Sequence, residues 1–85
     1  MDKKQYAQGW NIGEFWRIVK NESQAKNKTN LKIRLENCED DILKLAKNVG
    51  ELLEAGEVEA AIKYNNTIIE LINIKNYINN ALKVM

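Results

Sequence analysis

The sequence predicts an all-α fold: a short N-terminal helix, then a long antiparallel helical hairpin that forms a helical bundle by oligomerisation. Three observations carry that expectation. Leu31, Leu35, Cys38, Ile42, Leu45, Val49 and Leu52 follow one another at alternating steps of four and three residues. That is the repeat of a helix packed along its length on another helix. A second long apolar stretch begins after Gly56, and the chain contains no proline to break it. Ahead of both, Ile12, Phe15, Trp16 and Val19 sit on one helical face.

Eighty-five residues make one small domain, expected over 11–85 behind a flexible arm at 1–10. Residues 1–9 of the arm, MDKKQYAQG, are mostly polar. Asn11 can cap the first helix while Glu14 reaches back to it, completing a capping box. Trp10 before the cap and Phe15 inside it have the spacing of a hydrophobic staple. This predicts a helix over about 11–21.

Residues 20–30, KNESQAKNKTN, hold no large apolar side chain. They read as a solvated linker or an exposed helix, with Thr29 or Asn30 capping the next helix. That second helix is expected over about 30–55. In the heptad, Leu35, Ile42 and Val49 take the a positions, and Leu31, Cys38, Leu45 and Leu52 the d positions. A flank of Leu43, Ala46, Gly50 and Leu53 runs beside it. Gly56 can adopt positive φ at little cost and suits the helix stop.

The third helix is expected over about 57–83, with Glu57 and Glu59 complementing its dipole. It carries an early apolar face (Val58, Ala61, Ile62, Ile68, Ile69, Ile72) and a late one (Leu71, Ile74, Ile78, Ala81, Leu82, Met85). The two lie about half a turn apart. One partner helix cannot cover both, so the first helix or a second copy must cover the remainder.

The net charge of +1 conceals segregation. Residues 1–34 carry +5, residues 35–61 carry −6 and residues 62–85 carry +2. A chain this small buries a thin core, which disulfides, metals or partners usually supplement. Cys38 is the single cysteine and histidine is absent, so no intrachain disulfide and no Cys/His zinc site can form. At a buried d position the thiol is expected to be inert. The acidic run Glu36, Glu39, Asp40 and Asp41 lacks calcium-loop spacing and reads as a solvated face. No nucleophile–base pair, metal set or glycine-rich phosphate loop is visible, which points away from an enzyme and from any cofactor. No secretory h-region and no apolar span are present, so the expected location is cytoplasmic. Asn, Lys and Ile, whose codons are AT-rich, fill about two-fifths of the chain. This suggests a low-GC source such as a phage or mobile element.

The functional expectation is a small non-enzymatic interaction protein: a regulator, inhibitor or assembly factor that occludes or bridges a larger protein. Its expected partner-binding residues are Tyr6, Trp10 and Trp16 in the arm, with Asn73, Asn76, Tyr77 and Asn80 on the third helix. Five asparagines on one arc of that helix with Tyr77 (Asn65, Asn66, Asn73, Asn76, Asn80) are unusual, since asparagine is a poor helix former. They offer a hydrogen-bonding surface, while Asn65 and Asn79, seven residues either side of Ile72, offer a means of fixing oligomer state. A second expectation, ranked lower, is nucleic-acid binding by the basic first third. Arg17, Lys20, Lys26, Lys28, Lys32 and Arg34 would contact phosphates, and the aromatics would stack on bases. A third is an oligomer that holds a polar small ligand between its subunits.

Overall fold

The computed structural model describes residues 10–85 as three α-helices: α1 (Ile12–Gln24), α2 (Lys28–Glu54) and α3 (Val58–Lys83). The described residues contain no strand. The all-α class and the order of elements agree with the expectation. The boundaries moved: α1 runs three residues further than expected, and α2 starts two residues earlier.

Both interhelical turns are built the same way. Ala55 ends α2 and Gly56 follows at φ 78°. The Glu57 N–H donates to the Leu52 carbonyl at 2.8 Å, and the Gly56 N–H to the Leu53 carbonyl at 3.1 Å. This paired closure satisfies the last orphan carbonyls of the helix. At the end of α1, Lys26 takes the glycine's place at φ 54°. The Asn27 N–H donates to the Glu22 carbonyl at 2.9 Å and the Lys26 N–H to the Ser23 carbonyl at 3.0 Å. A lysine in the left-handed region costs about 1–2 kcal/mol. The tertiary ties described below hold it there.

Asn27 then caps α2, its Oδ1 accepting from the Asn30 N–H at 3.1 Å. The expectation of Thr29 or Asn30 as the cap is therefore corrected. Asn11 caps α1 as expected, accepting from the Glu14 N–H at 3.0 Å. Only half of the capping box forms, because the Glu14 carboxylate turns to Arg17 instead.

The core lies between α2 and α3, with α1 laid against both. Leu31, Cys38 and Leu45 are buried at the d positions of the seam, whereas Leu35, Ile42, Val49 and Leu52 are half-buried. On α3 the buried set is Ala61, Thr67, Ile68, Leu71, Ile74 and Ile78. α1 contributes Ile12 and Val19, and Trp10, Phe15 and Trp16 pack partly buried against the same cluster. The late apolar face of α3 is thus the core face. Most of the early face is not. Val58, Ile62, Ile69 and Ile72 are 54%, 52%, 49% and 41% exposed.

Candidate interaction surface

α1 folds back onto the hairpin, and polar contacts fix its position. The Trp16 indole Nε1 donates to Glu70 Oε1 at 2.6 Å. Its ring meets Tyr77 edge-on, centroids 5.6 Å apart at 80°. Lys20 Nζ lies 5.3 Å from the same ring, within reach of cation–π attraction. At the other end of α1, Glu22 accepts from Arg34 Nε at 3.0 Å and from Arg34 Nη2 at 3.2 Å. Asn30 Nδ2 also donates to Glu22 at 3.1 Å. This forked, charge-assisted contact joins α1 to the first turns of α2 across the Lys26 turn.

These contacts occupy several residues expected to be free for partners. Tyr6 lies outside the described residues. Trp10 is half-buried against the core. Trp16 and Tyr77 face one another, so both serve the α1–α3 contact. Asn73, Asn76 and Asn80 are exposed as expected. Tyr77 stands at the border of the same arc, half-buried, with its ring turned to Trp16 of α1. Of the expected phosphate contacts, Arg34 is taken by Glu22 and Arg17 by Glu14 on the same helix. The hydrogen bond from Arg17 holds the Glu14 carboxyl below its ordinary pKa, and Glu14 in turn raises Arg17. Lys20, Lys26, Lys28 and Lys32 are exposed.

The remaining charged groups do not assemble a site. Glu39 pairs with Lys75 at 3.5 Å across the hairpin. Burial raises the Asp41 carboxyl above the usual value. Cys38 is fully buried, and desolvation, with Asp41 and Glu39 nearby, pushes its thiol up to about 11. Such a thiol is protonated at neutral pH and a poor nucleophile. Among the described residues no group of three or more His, Cys, Asp or Glu side chains is placed to hold a metal ion. No helix among them is long and apolar enough to cross a membrane.

What the described surface does offer is a stripe along α3. Ile62, Asn65, Ile69, Ile72, Asn73, Asn76 and Asn80 are all exposed and fall within an arc of about 100°. Val58 begins the stripe, and no charged residue interrupts it before Lys83. Leu43 and Leu53, 70% and 54% exposed, extend apolar surface onto the exposed flank of α2 with Ala46 and Gly50. Where the flank meets the stripe, Val49, Leu53, Ala61, Ile62 and Asn65 line a shallow groove of about 330 Å³. Sequence reasoning named the asparagines but assigned the isoleucines between them to an apolar face awaiting cover. The missed signal was their joint spacing: Val58, Ile62, Asn65, Ile69, Ile72 and Asn76 advance by four and three, a second heptad seam.

Comparison of the chain with protein-family models, with curated proteins and with solved structures returned no match.

Proposed function

We propose that this protein is a small, non-enzymatic helical interaction module that works by docking a partner helix along the α3 stripe. It acts by occluding or bridging what it binds, as a regulator, inhibitor or assembly factor does. One observation carries the reading: an uncharged, heptad-spaced row of isoleucines and asparagines lies exposed along α3. Exposed apolar surface of that continuity marks interaction sites on small soluble domains. Helix-in-groove recognition uses the same spacing of anchors.

Nucleic-acid binding ranks lower because both arginines of the basic third are tied to glutamates of α1. The acidic run of α2 also lies on the same small molecule and repels phosphate. The two readings separate in one experiment. Wild-type protein, an Ile62→Glu/Ile69→Glu variant and a Lys26→Glu/Lys28→Glu/Lys32→Glu variant are used as baits in extract of the source cells, with bound protein and nucleic acid identified separately. The docking reading expects a protein that binds the wild type and the lysine variant and is lost from the isoleucine variant. Loss from the lysine variant alone, with co-purifying nucleic acid, would replace it with the alternative.

A further inference from the structure

We infer that the occupant of the α3 stripe is a second copy of this chain, lying antiparallel in a single register. The inference rests on the reading of the stripe as a helix-docking surface, and names what docks there.

The argument begins with the order of residues along the stripe. Ile69 and Ile72 stand at its centre, Asn65 precedes them by four residues and Asn76 follows by four. These four central residues therefore read the same in both directions about the midpoint between Glu70 and Leu71. A two-fold antiparallel pair centred there sets Ile69 opposite Ile72 of the other copy, and Asn65 opposite its Asn76. Further out the match lapses: Ile62 faces Asn79, half-buried in its own chain, and Val58 faces Lys83 at the open end of the seam. Isologous contact demands the self-complementarity of the central four: whatever one patch presents, the same patch must accept.

Polar satisfaction selects a copy over an unrelated apolar helix. An asparagine amide pressed against pure hydrocarbon loses its water bonds without replacement, a cost of about 1–3 kcal/mol. In the self-paired register, Asn65 and Asn76 meet amides that donate and accept in kind. Buried asparagine at one seam position fixes register and oligomer state in paired helices. The stripe bears no charge between Val58 and Lys83, so two copies approach on this face without repulsion between like groups. Val49, a half-buried a position, and the exposed Leu53 line the groove beside Ile62 and Asn65. They would gain cover from the partner's α3.

The test combines sedimentation with site-specific cross-linking of the full chain. At micromolar concentration the wild type should sediment as a dimer. Ile69→Glu should weaken association more than ~100-fold, because two carboxylates would be buried at the centre of the seam. Ile69 is half exposed in one copy, so the variant should keep its helical circular-dichroism spectrum. For register, Asn65→Cys chains are mixed with Asn76→Cys chains under oxidation, with wild type as the control for buried Cys38. A disulfide between the two variants is expected. Neither variant alone should cross-link efficiently, since its two cysteines would lie about 16 Å apart along the seam, beyond the ~7 Å that a disulfide spans. A monomeric wild type would overturn the inference. If the Ile62→Glu/Ile69→Glu bait still lost its protein partner in that case, the docking reading would stand without self-pairing. Efficient cross-linking of either variant alone, or a dimer that survives Ile69→Glu, would overturn the register or the face.

Discussion

Removing the Trp16 side chain should undo the attachment of α1. Replacing a fully buried tryptophan by alanine costs about 3–5 kcal/mol. Trp16 is half-buried, so the area and edge-to-face loss falls to about 2 kcal/mol. The 2.6 Å bond to Glu70 would ordinarily add about 1.5–3 kcal/mol as a bond to a charged group. Glu70 is itself half-exposed and regains water, which cuts that contribution to about 1 kcal/mol. Trp16→Ala is therefore expected to cost about 3 kcal/mol, a large share of the ~4–13 kcal/mol that a domain of this length commands. Urea melts at fixed protein concentration, followed by far-UV circular dichroism, give the number directly. Trp16→Phe keeps a ring against Tyr77 but deletes the indole N–H, and should cost about 1–2 kcal/mol. A cycle of Trp16→Phe with Glu70→Gln should return a coupling of about 1 kcal/mol. If Trp16→Ala melts within ~0.5 kcal/mol of wild type, α1 contributes nothing to the fold and the docked arrangement is wrong.

Leu45 lies at the middle of the α2 seam and is 3% exposed. Leu45→Ala should cost about 2–5 kcal/mol, while Lys44→Ala at the exposed neighbouring position should stay within about 0.5 kcal/mol; equal melts would discredit the seam. Cys38 supplies a pH signature. The fold holds its proton more tightly than the unfolded chain does, so this stabilisation is complete below the ordinary thiol value of 9.0 and is lost as pH climbs towards about 11. Stability of the wild type should therefore fall more steeply across that window than stability of Cys38→Ala, and parallel profiles would contradict the buried, desolvated thiol. In the same experiment a thiol reagent should modify native Cys38 only at the rate of unfolding.

How far the sequence alone carries depends on whether a signal is local. The α2 seam is legible because its period is independent of what it packs against, and Leu31, Cys38 and Leu45 are buried as the heptad requires. Asn11 is legible as a cap because one candidate precedes one apolar face. The start of α2 is not, since Asn27, Thr29 and Asn30 are all competent caps. The choice of Asn27 follows from Glu22 binding both Asn30 and Arg34, contacts across the turn that periodicity cannot contain. Lys26 hid the stop of α1 for a related reason: a lysine gives no sign of the left-handed conformation that Gly56 advertises. The hardest question was which apolar face of α3 would be buried. Both faces have helical spacing; the late one packs on α2, with α1 docked beside it through Glu70 and Tyr77, contacts that periodicity does not contain.

The placement of α1 has a consequence for how large an assembly can grow. A bare two-helix hairpin has two equivalent edges, and units with two sticky edges add end on end without limit. Here α1 sheathes one edge with Trp16, Val19 and the Glu22–Arg34 fork, and among the described residues the α3 stripe stays uncovered. A body with one adhesive side that matches itself stops at a pair. In the self-pairing inferred for the α3 stripe, the short helix would serve as a terminator: it covers the side from which a second round of association could start, so the pair would close after a single step.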